Sequence, residues 1–168
     1  YSVSITTSTN NACNSDSSGT ATAVALGGAI NYTYSWDDPL SQSTATADSL
    51  PAGTYEVMVT DGTGCVDSAS VTITDPAVLA ASISDSSDVN CMVDSSGWAT
   101  VTPAGGTGPY TYLWDDVNTQ TDSLANGLPA GNYSVTVTDI NNCQIIVSTT
   151  IAEPATITLS VAVSISVA

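Results

Sequence analysis

The chain contains no lysine, arginine, histidine or phenylalanine, whereas aspartate and glutamate together account for 16 of its 168 residues. The resulting net charge of −16 repels nucleic acid and anionic lipid, so neither is expected as a partner. No run of about 20 apolar residues is present, so membrane insertion is not expected either. Trypsin cleaves after lysine and arginine, so it finds no site in this chain.

The missing residue types also argue against catalysis. Neither histidine nor lysine is available to activate a serine or threonine nucleophile. The neighbouring carboxylates of Asp37 and Asp38, and of Asp115 and Asp116, follow predicted strands. Adjacent residues of a strand point to opposite faces, so such a pair does not converge on one substrate atom. We therefore predict that the chain is not an enzyme.

The chain is built from a repeat. A shift of 78 positions places Cys13 on Cys91 and Cys65 on Cys143 without a gap. Other pairs with the same offset are Gly19 and Gly97, Trp36 and Trp114, Tyr55 and Tyr133, Asp61 and Asp139, and Pro76 and Pro154. We predict that residues 1–76 form the first repeat and residues 77–154 the second, with the boundary at a proline that ends a strand.

Apolar and polar residues alternate along each repeat, which predicts half-buried β-strands rather than helices. The predicted inward-facing residues of the first repeat are Val3 and Ile5, then Ala21, Ala23 and Ala25, then Tyr32, Tyr34 and Trp36, then Tyr55, Val57 and Val59, and finally Ala69, Val71 and Ile73. A weaker strand is expected within residues 43–47. The Leu-Pro-Ala-Gly-x-Tyr segments that end at Tyr55 and Tyr133 resemble the tyrosine corner of immunoglobulin-like sandwiches. The predicted fold is all-β, with two tandem immunoglobulin-like β-sandwich domains and an extra C-terminal strand.

Each repeat carries two cysteines, and a domain this small needs stabilisation beyond its hydrophobic core. Four cysteines allow three pairings, and the repeat symmetry favours Cys13 with Cys65 and Cys91 with Cys143, since each repeat then folds alone. Each bridge would close a loop of roughly 50 residues and contribute about 4 kcal/mol. A zinc site is disfavoured because the sequence has no histidine and no C-x-x-C. Disulfides indicate an extracellular, oxidising compartment.

Several motifs recur in both repeats: a glycine six residues after the first cysteine, Tyr-x-Tyr-x-Trp, and Leu-Pro-Ala-Gly-x-Tyr-x-Val-x-Val-Thr-Asp before the second cysteine. This pattern resembles the SprB-type repeats of very large surface adhesins of gliding bacteria. The resemblance implies secretion to the cell surface, long tandem arrays and a role in adhesion or motility. We therefore expect a structural or adhesive module of an extracellular bacterial surface fibre or filament, whose partners are identical or similar β-domains.

Residues 155–168 align with the first strand of a further repeat. One face of this segment is apolar, and its residues are Leu159, Val161, Val163, Ile165 and Val167. An unpaired strand of this kind is prone to aggregation. Two interpretations stay open: the segment begins another repeat, or it is a donor strand that contacts a neighbouring subunit by strand exchange.

The alternative function is a carbohydrate- or calcium-binding adhesin domain with a discrete ligand site. Calcium prefers carboxylate, amide and carbonyl oxygens, and the candidate ligands are Asp37, Asp38, Asp61, Asp139, Asn141 and Asn142. The same residue types are also typical of Asx turns. Tyr32, Tyr34 and Trp36 form either a sugar-binding stripe for surface glycans or a core strand. Trp98 is predicted to face outward as a contact.

Three serines lie in Asp-Ser-apolar segments, namely Ser49, Ser68 and Ser123. These segments are similar to the O-glycosylation signal of the bacterial group that carries SprB-type repeats. The resemblance therefore implies a glycoprotein with sugars at these three serines.

Overall fold

The computed structural model describes residues 1–157, and within them every regular element is a β-strand. The strands of the first repeat are β1 (Ser2–Thr9), β2 (Gly19–Leu26), β3 (Thr33–Trp36), β4 (Thr46–Leu50), β5 (Gly53–Thr60) and β6 (Val66–Ile73). Those of the second are β7 (Ala80–Ser87), β8 (Gly97–Ala104), β9 (Thr111–Trp114), β10 (Leu124–Leu128), β11 (Gly131–Thr138) and β12 (Gln144–Ile151). The all-β prediction is confirmed, and the weak fourth strand lies a few residues later than expected.

The first repeat has two three-stranded sheets, ordered β1-β2-β4 and β3-β5-β6, and the strand pairs are antiparallel. The inward residues of both sheets form one core, because alternation along each strand places its apolar residues on one face. Members of this core are Ala21, Ala23, Ala25, Trp36, Ala47, Leu50, Tyr55, Val57, Val59 and Ile73. The Trp36 indole N–H donates to the Thr44 carbonyl at 2.9 Å, so the polar atom of this buried ring is satisfied.

The second repeat has the same two sheets, ordered β7-β8-β10 and β9-β11-β12. Its buried residues include Ala99, Val101, Trp114, Leu128, Val135, Val137 and Ile151. Gly97 lies where these sheets meet. A Cβ atom there would come within 2.6 Å of both the Ile151 Cγ2 and the Leu128 carbonyl oxygen. Close packing therefore requires a glycine six residues after each first cysteine, at Gly19 and at Gly97.

The predicted tyrosine corners are present. The Tyr55 hydroxyl donates to the Pro51 carbonyl at 2.9 Å, and the Tyr133 hydroxyl donates to the Pro129 carbonyl at 2.9 Å. Burial raises the pKa of Tyr55, and the nearby charge of Asp38 raises it further. Each hydroxyl therefore stays protonated and holds the turn that precedes β5 or β11.

The chain clusters into two compact units that differ from the two sequence repeats. Unit 1 comprises residues 1–80, 103–111 and 138–145. Unit 2 comprises residues 81–102, residues 112–137 and the described residues from 146 onward. The repeat limits 1–76 and 77–154 stay a prediction. The apolar residues predicted as subunit contacts, Leu159 to Val167, lie outside the described residues. Within the described residues, no helix is long and apolar enough to cross a membrane.

Candidate functional site

The two cysteines of one repeat lie at opposite ends of its sandwich. Cys13 lies in the loop after β1, where the Ser15 amide donates to the Asp75 carboxylate at 3.0 Å, just beyond the end of β6. Cys65 directly precedes the first residue of β6. The eight residues of β6 therefore separate the two cysteines by roughly 25 Å.

The predicted pairing within each repeat is therefore wrong. A disulfide requires Cα atoms closer than about 7 Å, which an intervening strand of eight residues prevents. Instead, Cys13 is bonded to Cys143, with a Cα–Cα distance of 5.7 Å and a sequence separation of 130 residues. Both residues belong to unit 1. Cys65 and Cys91 are free and exposed.

A hydrogen bond lies next to this disulfide. The Asn141 side-chain amide donates to the Ala12 carbonyl at 3.1 Å, one residue before Cys13 and two before Cys143. The bonded cysteines therefore belong to a local contact within unit 1 that also includes a polar pair. We refer to residues 11–16 and 89–94 as the first-cysteine loops, and to residues 61–65 and 139–143 as the second-cysteine turns.

Asp61 organises the first of the second-cysteine turns. One carboxylate oxygen accepts the amides of Thr63 and Cys65, both at 2.9 Å, and the Thr63 hydroxyl at 2.7 Å. The other oxygen accepts the Ala29 amide at 3.0 Å. The bond from the Ala29 amide, followed by that from the Thr63 hydroxyl, lowers the pKa of Asp61 well below its usual value. A carboxylate with a lowered pKa therefore fixes the backbone that presents Cys65.

The second of these turns has the same backbone hydrogen bonds. The Asp139 carboxylate accepts the amides of Thr107, Asn141 and Cys143 at 2.9, 2.9 and 3.0 Å. These carboxylates thus serve as Asx-turn acceptors, which is the second of the two roles considered for them. Among the described residues, no group of three or more acidic, histidine or cysteine side chains is placed to hold a metal ion.

The first-cysteine loop at Cys13 is organised by Asn11, which is 5% exposed. Its side-chain amide donates to the Asp16 carbonyl at 2.9 Å and to the Asp75 carboxylate at 2.7 Å, while its oxygen accepts the Gly19 amide at 2.7 Å. Sequence reasoning missed this residue, because Val89 occupies its position in the second repeat and no repeated motif marks it.

Asp38 and Asp116 hold a further turn in each repeat. Asp38 accepts the amides of Leu40 and Gln42 at 2.9 and 2.8 Å, and the Gln42 side-chain amide at 2.9 Å. Burial acts to raise the pKa of Asp38, but the bonds from Gln42 outweigh it, and the pKa is lowered. Asp116 and Gln120 repeat the arrangement. The glutamine was not predicted from the sequence, although its recurrence four residues after each aspartate is a usable signal.

The aromatic residues considered for sugar binding are mostly internal. Trp36 is 3% exposed, and Tyr32 and Tyr34 are half-buried against the core. Trp98 is half-buried on the outer face of β8, where it pairs with Asn126 and lines a shallow surface groove with Asp85, Thr100 and Leu124. Trp36 also lines a smaller surface pocket, with Ser35, Asp37, Glu56 and Met58, but its own side chain is almost fully buried.

The three serines of the Asp-Ser-apolar segments differ in their surroundings. Ser49 is exposed and has a positive φ of 54°. Ser68 is also exposed, but its hydroxyl donates to the Glu56 carboxylate at 2.7 Å. Ser123 is half-buried. Ser49 is thus the most accessible of the three hydroxyls.

Comparison with solved structures supports the fold. The three N-terminal domains of the bacteriophage RB49 highly immunogenic outer capsid protein are 22% identical, with a TM-score of 0.56, and the match covers 89% of this chain and 58% of that one. The present chain therefore spans little more than half of that structure. DIP-gamma IG1+IG2 is 10% identical over 93% of this chain and 99% of that one, with a TM-score of 0.37. A search of curated proteins found no match.

Comparison with family models tests the resemblance that the recurring motifs suggested. The SprB repeat matches residues 5–41 and residues 83–119. The two matched segments are offset by 78 residues, as are the cysteines and the tryptophans. Residues 5–41 and 83–119 are therefore similar to the SprB repeat, with one match in each repeat of this chain.

Proposed function

We propose that this chain is a structural and adhesive module of an extracellular bacterial surface fibre. The observation that carries the proposal is the match of a segment of each repeat to the SprB repeat, which supports an adhesin-type structural module. In this proposal residues 1–76 and 77–154 are successive links of the fibre, the chain performs no catalysis, and its partners are other β-domains of the same kind.

The disulfide supports a load-bearing role. Cys13 and Cys143 enclose most of the chain, with a separation of 130 residues. In the chain-entropy model, closure of a loop of this length stabilises the folded state by about 5 kcal/mol. Tension applied at the two ends of the chain passes through this bond rather than through the enclosed strands. A disulfide also fits an extracellular location, since it persists in oxidising compartments.

The location is tested by antibody labelling of cells that produce the chain. Antibodies raised against the folded chain should label intact cells, and removal of the gene should weaken attachment of the cells to surfaces. Labelling that appears only after the cells are permeabilised would contradict a surface fibre. Unchanged attachment by gene-deleted cells would contradict the adhesive role.

A second candidate function is carbohydrate binding at the Trp98 groove. The groove combines an accessible indole with the polar side chains of Asp85, Thr100 and Asn126, which is a common setting for a sugar ring. The first repeat has Thr20 at the equivalent position, so the site would be confined to the second repeat. Titration with polysaccharides should change the fluorescence of the wild-type chain but not of Trp98→Ala. An identical response of both proteins would exclude this site.

Glycosylation at Ser49, Ser68 and Ser123 remains part of the proposal, and accessibility favours Ser49. The bare chain has a mass of 16.9 kDa. Chain isolated from the producing cells should be heavier, and Ser49→Ala should remove the largest share of the added mass. An intact mass equal to that of the bare chain would refute the modification.

A further inference from the structure

The free thiols of Cys65 and Cys91 occupy positions whose equivalents are bonded. The offset of 78 residues relates Cys91 to Cys13 and Cys65 to Cys143. Cys13 and Cys143 form the disulfide, whereas Cys65 and Cys91 are exposed. Each free cysteine therefore has the sequence position of one half of a known bridge.

The two first-cysteine loops share their backbone conformation. The Asp16 amide donates to the Cys13 carbonyl at 3.3 Å, and the Asp94 amide donates to the Cys91 carbonyl at 3.3 Å. In both loops the residue two positions after the cysteine has a positive φ, 59° in the first and 56° in the second. The loop at Cys91 thus already has the conformation that the bonded Cys13 adopts.

The two second-cysteine turns are equally alike. The Cys65 amide donates to the Asp61 carboxylate at 2.9 Å, and the Cys143 amide donates to the Asp139 carboxylate at 3.0 Å. The backbone bond that closes the turn measures 2.9 Å at Cys65 and 3.0 Å at Cys143. Cys65 therefore needs no backbone rearrangement to take part in a bridge of the same geometry, which lowers the cost of forming one.

The surroundings of Cys91 add a second reason for a partner. Met92 and Val93 follow it and are 50% and 96% exposed, whereas the first repeat has Asn14 and Ser15 at these positions. Burial of exposed apolar side chains against a partner is favourable in water. The loop at Cys91 is therefore better suited to a contact than to free solvent.

We propose that Cys91 forms a disulfide with the second-turn cysteine of another repeat of this kind, and Cys65 with the first-loop cysteine of another. Between two copies of this chain, the bond joins Cys91 of one to Cys65 of the other. The proposal rests on the proposed fibre, in which the same bridge would recur at every step. It makes the fibre a covalent series of links.

The oxidant in this reaction is a small-molecule disulfide such as oxidised glutathione. The Cys91 thiolate attacks one glutathione sulfur and releases the other glutathione as a thiolate. The Cys65 thiolate of the partner then attacks the Cys91 sulfur of the mixed disulfide and releases the second glutathione. Two protein thiols lose two protons and two electrons, and one glutathione disulfide becomes two glutathione thiols.

The first arm of the test uses two full-length chains, each with one free thiol. Cys65→Ser retains Cys91 and Cys91→Ser retains Cys65, and one of the two carries an isotope label. They are mixed with oxidised glutathione in about 0.5 M salt, which shortens the Debye length to roughly 4 Å and screens the negative charges. Intact mass then separates the mixed dimer from the two symmetric dimers.

Random pairing would make the mixed species about half of all dimers. Guided pairing should instead give a mixed dimer about twentyfold more abundant than either symmetric one. This is about tenfold beyond the random ratio of roughly two, which corresponds to about 1.4 kcal/mol of contact free energy. Mixed dimers at or below the random share, or no dimers at all, would exclude the bond between separate chains.

The second arm places the partner repeat in the same chain. A further copy of residues 77–154 is added after Pro154, so that Cys91 meets the second-turn cysteine of the added repeat. The present chain has two free thiols, Cys65 and Cys91. Titration of the lengthened chain should again detect two free thiols, those of Cys65 and of the first-loop cysteine of the added repeat. Cys91 and the second-turn cysteine of the added repeat would be bonded to each other. Without the new bond, the titration would detect four free thiols.

A positive result in either arm supports the proposal and shows whether the partner repeat belongs to a second chain or to the same one. Random dimers in the first arm together with four thiols in the second overturn it. The fibre itself is tested independently by surface labelling. Labelled cells combined with failure of both arms would leave a fibre whose repeats are joined by the peptide chain and by Cys13–Cys143 alone.

Discussion

Reduction of Cys13–Cys143 should lengthen the chain under tension by a defined amount. The bond links the two ends of a segment of 130 residues and holds their Cα atoms 5.7 Å apart. A fully extended chain spans about 3.5 Å per residue, so the enclosed segment has a contour length of roughly 450 Å. While the disulfide is intact, that length cannot be pulled out, even when the strands inside it have lost their hydrogen bonds.

Single-molecule force spectroscopy measures this hidden length directly. The chain is held at both ends and stretched, first in oxidising buffer and then with a phosphine reductant. The total extension at rupture should increase by about 450 Å on reduction. Cys13→Ser should show the long extension without reductant. Cys65→Ser, which removes a free thiol, should behave as the wild type does.

The pairing within each repeat, which the symmetry of the sequence had favoured, gives a different result. Each such bridge would hide a segment of 52 residues, from Cys13 to Cys65 or from Cys91 to Cys143. Reduction would then release two separate lengths of roughly 180 Å each. Two such steps, or no change on reduction, would refute the assignment of the disulfide and the load path derived from it.

Four further predictions concern stability. Asp38→Ala and Asp116→Ala should each lower the free energy of unfolding by about 2 kcal/mol, because each leaves part-buried amide donors without an acceptor, and should lower Tm by on the order of 10 °C. Gly97→Ala should lower the free energy of unfolding by about 1–3 kcal/mol, since the new Cβ overlaps β12 and the end of β10. Gly131→Ala should be nearly neutral, because its Cβ would contact only Tyr133, at 3.5 Å. Because the pKa of Asp61 is lowered in the folded state, its contribution to stability is complete above its unfolded pKa of about 3.9 and is lost as pH falls through the folded pKa. Addition of a chelator should leave Tm unchanged, since the turn carboxylates already accept backbone amides.

Thermal melts followed by tryptophan fluorescence test all four. Equal losses from Gly97→Ala and Gly131→Ala would contradict the close-packing explanation. Stability that holds from pH 5 down to pH 2 would contradict the role of Asp61, because protonation must then cost nothing. A chelator-induced fall in Tm of several degrees would show that these carboxylates bind a cation after all. Full stability of Asp38→Ala would show that its hydrogen bonds are replaced by water.

The sequence predicted the strands because their signal is local. Alternation along Gly19–Leu26 and Gly53–Thr60 specifies both the strand and its buried face, and the structure confirms both. The tyrosine corner was equally readable, since the hydroxyl of Tyr55 reaches a carbonyl only four residues away. These features depend on neighbours in the sequence, so a single chain suffices to predict them.

The disulfide could not be read in the same way, because it depends on which ends of the strands meet. Repeat symmetry favours the pairing of Cys13 with Cys65. However, Cys65 directly precedes β6, and the loop that holds Cys13 lies just beyond the other end of that strand. The alternation of apolar and polar residues gives the length of β6, but only the contact of Ser15 with Asp75 places the Cys13 loop at the far end of that strand. With this contact known, the eight residues of β6 keep the two cysteines too far apart to bond.

The charge of the chain explains why a covalent bridge suits a series of such repeats. With a net charge of −16 and no cationic side chain, copies of the chain repel one another and no ion pair offsets the repulsion. Two unit charges about 10 Å apart in water cost about 0.4 kcal/mol, and the sum over many pairs grows as salt is diluted. A non-covalent contact between two copies of the chain would therefore weaken at low ionic strength. The disulfide that we propose between a first-cysteine loop and a second-cysteine turn would not depend on ionic strength, so it would keep successive repeats joined when the salt concentration is low.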